Sequence, residues 1–193
     1  MSEKTPTVGA IAPDFTLPDE TGAQVSLSQL SIGNGVILIF YRGVWCPFCL
    51  NQLTEYRDLL RISRAGVPDI VALSVETPER TSALKRELQL NYRLLSDPDK
   101  RVIEGWGLLN TREHGGIAFN ATFGLDRTRK VVFRSLDTMM KRASGEAAIQ
   151  AVLNPPAGSS ASTPPGPWPE LPRRLVLPSF AQFWKATRNF LRG

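Results

Sequence analysis

Two cysteines, the only ones in the chain, lie three positions apart in the segment Trp45-Cys46-Pro47-Phe48-Cys49. An apolar run at 36–40 comes directly before them, and apolar residues at helical spacing follow: Leu50, Leu53, Tyr56 and Leu60. This pattern predicts that a buried strand ends where a helix begins, with the cysteines at the helix N-terminus. A helix N-terminus carries about half a unit of positive charge and unpaired N–H groups, which stabilise a thiolate. Because the thiolate is the reactive form of cysteine, the pair is the first candidate for catalysis.

The spacing of the two cysteines favours a redox role. With Cys46 as the N-cap and Cys49 at the third helical position, the sulfurs can close a small ring, and we expect Cys46 to be the more exposed. So short a ring removes little unfolded-chain entropy, which favours a reversible redox couple over a structural staple. Two buried, inert thiols are an alternative. We expect no metal, because zinc would need two further ligands and the only histidine, His114, brings no fourth group.

The remaining elements predict an α/β domain around this pair. The expected strands are 12–19, 24–27, 35–41, 70–75, 92–95, 118–125 and 130–134, and the expected helices are a short turn capped by Ser26 or Ser28, then 47–65, 78–88, 100–106 and 145–153. The strand–helix–strand unit over 35–75 predicts parallel pairing with a right-handed crossover, and the last two strands predict a hairpin. The fold class is therefore α/β, with a mixed central sheet and helices on both faces.

Several segments of residues 10–153 resemble a known family. Trp-Cys-x-x-Cys between a strand and a helix is similar to the thioredoxin superfamily. Further segments resemble its peroxiredoxin branch, the alkyl hydroperoxide reductase/thiol-specific antioxidant group: the entry strand 12–17, the cysteine eight positions after Tyr41, residues 95–98 with 106–108, and the late strand 121–126. The resemblance implies a thioredoxin-like fold and a thiol-dependent peroxidase.

The chain departs from that family at the site itself. Peroxiredoxins carry P-x-x-x-T-x-x-C, whose last cysteine attacks the peroxide. Here Arg42 stands at the Pro position, Cys46 at the Thr position and Cys49 at the peroxidatic position. Asn120 occupies the place of the family's second active-site arginine, before the late strand. A second thiol therefore replaces the hydroxyl that orients peroxide in the family.

Three residues are candidates for orienting a substrate. Arg42 would lower a thiol pKa and hold a peroxide oxygen, or it is a solvated charge at a strand end. Trp45 is interpreted as an apolar lid over the sulfurs or as a packing residue, and Asn120 as a pocket residue or an ordinary turn residue. His114 is expected to be a loop histidine without a catalytic role.

The resemblance implies a dithiol–disulfide cycle without a cofactor. One thiolate attacks the peroxide and becomes a sulfenic acid, and the other cysteine condenses with it to form the Cys46–Cys49 disulfide. Thioredoxin or glutathione would then reduce that disulfide. By resemblance Cys49 meets the peroxide, whereas helix position favours Cys46 for attack by the reductant, so the peroxidatic sulfur stays open. The alternatives are a thioredoxin-like protein-disulfide oxidoreductase with Cys46 as nucleophile and a redox-sensing adaptor.

The composition changes after residue 154. Residues 155–178 hold eight of the fifteen prolines and predict an extended linker, so residues 1–154 are expected to form the thioredoxin-like domain. Residues 179–193 predict an amphipathic helix with an aromatic face flanked by Lys and Arg. Such a helix fits contact with a membrane or a partner protein, or folding back onto the domain.

Charge and cysteine usage narrow the function classes. Most of the net charge of +5 lies from residue 155 onward, where five basic residues accompany one acidic residue, so nucleic-acid binding by the main domain is not indicated. Two cysteines are too few for a secreted disulfide scaffold. The N-terminus lacks the apolar segment of a secretory signal, and no apolar run approaches the roughly 20 residues of a membrane span. We therefore expect a cytoplasmic protein, and a homo-oligomer is compatible with the sequence.

Overall fold

The computed structural model describes residues 4–63, 66–137 and 142–155, so the predicted linker beyond residue 155 and the tail helix 179–193 lie outside the described residues. The strands are β1 (Thr16–Pro18), β2 (Gln24–Ser26), β3 (Val36–Phe40), β4 (Asp69–Ser74), β5 (Arg93–Ser96), β6 (Leu109–Asn110), β7 (Ile117–Ala118), β8 (Ala121–Leu125) and β9 (Val131–Leu136). The helices are α1 (Leu27–Leu30), α2 (Pro47–Ile62), α3 (Pro78–Leu88), α4 (Arg101–Gly105) and α5 (Gly145–Leu153). None of these helices is long and apolar enough to cross a membrane.

A mixed five-stranded sheet forms the centre, in the order β5-β4-β3-β8-β9. β3 and β4 are parallel, as are β4 and β5, while β8 is antiparallel to both β3 and β9. All five residues of β3 are buried, as expected for an apolar strand in the middle of a covered sheet. The predicted mixed sheet, parallel βαβ unit and late hairpin are confirmed.

Helices cover both faces of this sheet. Leu38 and Phe40 of β3 belong to a core on one face, which also holds apolar residues of α1, of α4 and of the C-cap that follows α4: Leu27, Leu30, Ile103 and Trp106. On the other face, Gln52 of α2 donates a hydrogen bond to Thr122 Oγ1 of β8 at 3.2 Å. Gly124 of β8 lies so close to α5 that an added Cβ would be 2.6 Å from Val152 Cγ2. The thioredoxin-like arrangement predicted from the sequence is therefore confirmed.

The helix starts follow their capping signals. Ser26 caps α1 through a capping box with Gln29. Cys46 is the N-cap of α2 and Pro47 its first residue, and α3 has the same arrangement with Thr77 as N-cap. Proline fits this first position because its missing N–H would have no partner inside the helix. The predicted starts of α2 and α3 are confirmed, whereas α2 ends at Ile62 rather than at residue 65.

The short strands are where sequence and structure differ. β6 and β7, which have two residues each, pair as a short antiparallel hairpin. The sequence does not predict it, because two residues are too few to show an alternation of apolar and polar side chains. The predicted entry strand 12–19 shortens to Thr16–Pro18. Pro13 and Pro18 have no N–H to donate, which limits pairing in this segment.

Gly35, directly before β3, is expected to be essential for the close packing of this strand start against β8 and α5. Its φ is +85°, and an added Cβ would lie against the Leu125 carbonyl oxygen and 2.8 Å from Val152 Cγ1. We predict that Gly35→Ala lowers the free energy of unfolding by more than about 2 kcal/mol, since a left-handed backbone alone costs roughly 1–2 kcal/mol with a side chain. Urea denaturation of the full chain measures the change.

Gly22→Ala is the matched control for this substitution. Gly22 has a similar φ of +87°, but an added Cβ there would meet nothing within 4 Å. Gly22→Ala should therefore lower the free energy of unfolding only by the cost of a left-handed backbone with a side chain, roughly 1–2 kcal/mol. Equal destabilisation by the two substitutions would contradict the claim that close packing around Gly35 matters.

Candidate active site

Cys46 and Cys49 form a disulfide at the start of α2, with their Cα atoms 5.2 Å apart. Cys46 is the N-cap and Cys49 the third helical residue, as predicted. The first turn of α2 contains no acidic residue, so no carboxylate of that turn offsets the positive end of the helix dipole. Reduction of the disulfide would therefore produce thiols whose ionised form is stabilised by the helix.

Both cysteines are buried in this disulfide form. Cys46 is 1% exposed and Cys49 is 0% exposed, so the prediction that Cys46 is the exposed sulfur is wrong for this state. The reason is that the loop from β3 to α2 turns inward: Tyr41, Gly43 and Val44 are all buried, and the Cys46 N–H donates to the Gly43 carbonyl at 3.2 Å. Neither sulfur is therefore accessible at the surface in this form.

The carboxylate of Glu76, which follows β4, is hydrogen-bonded to the backbone of this loop. Glu76 is 5% exposed, and its Oε1 accepts a hydrogen bond from the Val44 N–H at 3.1 Å. Its Oε2 lies 3.0 Å from Arg80 Nη1. Gly43 leaves room for both neighbouring side chains, because an added Cβ would be 2.8 Å from Glu76 Oε1 and 2.7 Å from Trp45 Nε1. The only sequence signal for Glu76 is its place after the strand that pairs with β3.

Arg42 is anchored on two sides. Its guanidinium forms an ion pair with Glu113, and the Arg42 side chain is only 12% exposed. Its Cζ atom lies 4.8 Å from the ring centroid of Trp45, within cation–π distance. The Trp45 ring also packs against His114, with centroids 4.3 Å apart. Of the two interpretations, Arg42 is therefore a fixed cation rather than a solvated one, and His114 is a packing partner of Trp45.

The small β6–β7 hairpin supports Arg42 indirectly. Asn110 of β6 is buried and donates from Nδ2 to Glu113 Oε1 at 3.0 Å. The Asn110 side chain also accepts from the Arg112 N–H at 3.1 Å. Glu113 is thus positioned by an element that the sequence does not predict, which is why sequence reasoning missed it as the partner of Arg42.

Asn120 lies directly beside Cys49. Its Oδ1 is 3.2 Å from Cys49 Sγ, and the residue is 5% exposed. The antiparallel register pairs Phe40 of β3 with Ala121 of β8. Asn120 therefore lies opposite Tyr41, the first residue of the loop that leads to the cysteines. After reduction, the Cys49 S–H can donate to the amide oxygen, and the amide N–H can donate to a thiolate. The geometry therefore favours the pocket interpretation of Asn120.

A second polar group, Arg142, also reaches Cys49, and the sequence alone does not single it out. Arg142 Nη2 lies 3.9 Å from Cys49 Sγ. Burial lowers the pKa of the Arg142 guanidinium, an effect that the Asp137 carboxylate opposes and that Arg42 reinforces. Burial raises the pKa of the Asp137 carboxyl above its usual value, with Ser135 and Arg142 opposing this. No pattern predicts the contact, because Arg142 and Cys49 belong to elements far apart in sequence.

A thioredoxin-like sheet with a cysteine pair at the helix after its central strand defines a thiol oxidoreductase. Residues 8–134 match the AhpC/TSA family. The chain therefore belongs to the AhpC/TSA family, and by family and fold it is an oxidoreductase of the peroxiredoxin type.

Individual relatives agree with this assignment. The chain is 34% identical over 130 residues to a putative peroxiredoxin of Mycobacterium tuberculosis, covering 65% of this chain and 82% of that relative. It is 35% identical over 113 residues to peroxiredoxin Bcp of Escherichia coli, covering 58% of this chain and 71% of that relative. Among solved structures, peroxidoxin BcpB of Mycobacterium tuberculosis superimposes with a TM-score of 0.67 at 26% identity, covering 75% of this chain and 95% of that one.

Removal of the Glu76 carboxylate should loosen the active-site loop. We predict that Glu76→Ala lowers the free energy of unfolding by about 2 kcal/mol or more, because it leaves the buried Val44 N–H without its acceptor. Urea denaturation measures this, and Glu87→Ala, an exposed carboxylate on α3, is the matched control and should stay within about 0.5 kcal/mol of wild type. A cost for Glu76→Ala no larger than that of the control would refute the role of Glu76 in the loop.

Proposed function

We propose that this thiol peroxidase reduces hydrogen peroxide or organic hydroperoxides through a Cys46/Cys49 dithiol–disulfide cycle, with Cys49 as the peroxidatic cysteine. The observation that carries the assignment of Cys49 is the convergence of polar groups on its sulfur. Asn120 Oδ1 lies 3.2 Å and Arg142 Nη2 lies 3.9 Å from Cys49 Sγ. Cys49 is also the residue at the peroxidatic position of the family motif.

The first half-reaction is a displacement on the peroxide. The Cys49 thiolate attacks the terminal oxygen, so that an S–O bond forms as the O–O bond breaks. The departing oxygen takes a proton and leaves as water or as an alcohol. Cys49 is oxidised to a sulfenic acid, and the peroxide is reduced by two electrons.

The second half-reaction closes the disulfide found in the structure. Cys46 attacks the Cys49 sulfenic acid, an S–S bond forms, and the hydroxyl leaves as water with the proton of the Cys46 thiol. The Cα–Cα distance of 5.2 Å lies within the range that a disulfide spans. A dithiol such as thioredoxin, or two molecules of glutathione, then reduces the disulfide by thiol exchange.

Three further residues are proposed to orient the substrate. Asn120 contacts the reacting sulfur, so its amide is placed to hydrogen-bond a peroxide oxygen or the sulfenic acid. Arg42 and Trp45 form a fixed cation–π pair in the loop that leads to Cys46. Because Glu113 offsets the charge of Arg42, we propose that Arg42 and Trp45 orient the substrate chiefly by fixing the shape of this loop.

The alternative functions receive less support. The family match and the polar contacts at the Cys49 sulfur favour a peroxidase over a protein-disulfide oxidoreductase with Cys46 as nucleophile. The redox-sensing adaptor depends on the tail helix, which lies outside the described residues. The cytoplasmic location, the domain division at residue 154 and homo-oligomer formation stay predictions.

Single cysteine variants test the assignment of the two sulfurs. In reduced Cys46→Ser, peroxide should give a sulfenic acid on Cys49 that a dimedone-type reagent traps, because no resolving thiol is present. In reduced Cys49→Ser, peroxide consumption should fall to the background of free thiols. Mass spectrometry of the trapped protein measures the first result and a peroxide assay the second.

Wild-type protein is the control, and it should form the disulfide without trapped sulfenic acid. Rapid sulfenic acid formation on Cys46 in the Cys49→Ser variant would reverse the assignment. Consumption by wild type no faster than that by free cysteine would refute the peroxidase proposal, and insulin reduction would then test the oxidoreductase alternative.

A further inference from the structure

We infer that Glu76 is a positioning residue for the resolving thiol. By holding the loop from β3 to α2, it keeps Cys46 beside Cys49, so that the Cys49 sulfenic acid closes to the disulfide before a second peroxide oxidises it. The inference rests on the proposed function, since it concerns the fate of that sulfenic acid. It goes further because it gives a residue of the β4–α3 connection a role in the reaction and predicts how the site responds to excess peroxide.

The two sulfurs are held by different parts of the structure. Cys49 is the third residue of α2, and its sulfur lies 3.2 Å from Asn120 Oδ1. Cys46 is the N-cap, with the extended backbone angles φ −88° and ψ 107°, and its carbonyl accepts from the Leu50 N–H at 3.0 Å. Because an N-cap residue lies half outside the helix, the loop before Cys46 helps to determine where its sulfur lies.

Glu76 is bonded to the part of this loop that holds Cys46. Glu76 Oε1 accepts a hydrogen bond from the Val44 N–H at 3.1 Å, two residues before Cys46. The neighbouring Gly43 carbonyl accepts from the Cys46 N–H at 3.2 Å. The carboxylate therefore fixes the same backbone turn to which the Cys46 backbone is bonded.

The structure also fixes Glu76 itself. Its N–H donates to Ser74 Oγ of β4 at 3.3 Å, and its Oε2 lies 3.0 Å from Arg80 Nη1 of α3. The Glu76 side chain is only 6% exposed. At the start of the loop, the Tyr41 N–H donates to the Leu73 carbonyl of β4 at 3.0 Å. The loop that carries Cys46 is thus tied to β4 and to the residue that follows it.

The hydrogen bonds around Cys46 coexist with the disulfide, so bond formation and an ordered loop are compatible. Well-oriented intramolecular reactions reach effective molarities of about 10⁵–10⁸ M, far above a millimolar concentration of peroxide. This advantage depends on orientation, so it is reduced whenever Cys46 moves away from Cys49. A loop without its bond to Glu76 should therefore give a second peroxide more time to react.

The competing reaction has a distinct product. A second peroxide transfers one oxygen to the Cys49 sulfenic acid: an S–O bond forms, the O–O bond breaks, and water or an alcohol leaves. The sulfur loses two more electrons and becomes a sulfinic acid, which thiols do not reduce. Condensation with Cys46 instead releases water and forms the disulfide. The ratio of sulfinic acid to disulfide therefore reports how well Cys46 is positioned.

The test mixes the reduced full-length protein with excess hydrogen peroxide over a range of millimolar concentrations, without a reductant, and quantifies both products by mass spectrometry. In wild type, sulfinic acid on Cys49 should stay below about 1% of the protein. Glu76→Ala should raise the ratio of sulfinic acid to disulfide about tenfold or more. Glu76→Gln keeps an acceptor oxygen for the Val44 N–H, so it should raise the ratio less than Glu76→Ala does.

Two variants serve as controls. Glu87→Ala removes an exposed carboxylate on α3 and should keep the wild-type ratio. Cys46→Ser lacks the resolving thiol and should form the sulfinic acid, which shows that Cys49 can be overoxidised. Circular dichroism of every variant shows whether it is folded. A variant that is less stable but folded, with Cys46 still in place, keeps the wild-type ratio, so the ratio separates positioning from stability.

A second measurement requires no peroxide. The equilibrium between the dithiol and the disulfide in a glutathione buffer gives the effective concentration of the two thiols for each other. Glu76→Ala should lower this effective concentration about tenfold or more, while Glu87→Ala leaves it unchanged. If Glu76→Ala fails to fold, Glu76→Gln decides by both measurements, with changes expected in the same directions.

A wild-type ratio or a wild-type effective concentration in folded Glu76→Ala would overturn the inference. Equal changes in Glu87→Ala would also overturn it, because the effect would then be one of net charge. Failure of the proposed function looks different. In that case Cys46→Ser forms no sulfenic acid with peroxide, whereas the glutathione equilibrium still measures the effect of Glu76 on Cys46.

Discussion

The antiparallel register of β8 against its neighbours is the constraint on which this site depends. Phe40 pairs with Ala121, which sets Asn120 against the loop that carries the cysteines. Ala121 pairs in turn with Leu136, which sets Asp137 beside Asn120. A slip by one residue would turn every side chain of β8 to the other face and separate these groups. The fully buried β3, with apolar side chains packed on both faces, makes such a slip costly.

Burial gives the site both its reactivity and its main restriction. With water excluded, the helix dipole and nearby polar groups act on Cys49 more strongly than they would at a surface. The same burial keeps the oxidised pair away from large molecules, since Cys46 and Cys49 are 1% and 0% exposed. In the proposed cycle, a protein reductant therefore needs a larger displacement of the loop held by Glu76 than a small peroxide does.

Local signals predicted most of the fold and the position of the cysteine pair, whereas contacts that depend on long-range packing escaped prediction. Capping signals and apolar spacing place the N-cap of α2 at Cys46 and the bounds of α5 at Gly145–Leu153. Resemblance to a family then pointed to Cys49. Glu113 was missed because the short β6–β7 hairpin positions it. Arg142 was missed because it lies in the connection before α5, where the sequence shows no pattern that points to Cys49. The exposure of Cys46 was mispredicted because a cap position does not reveal what packs over it.

The most direct test of the central claim is a rapid-mixing experiment on reduced full-length protein with less than one equivalent of hydrogen peroxide. Free thiols and disulfide are counted as the reaction proceeds. The account predicts that one Cys46–Cys49 disulfide forms for each peroxide consumed, much faster than free cysteine reacts under the same conditions. Thiol loss at the rate of free cysteine, or consumption of peroxide without formation of this disulfide, would contradict it.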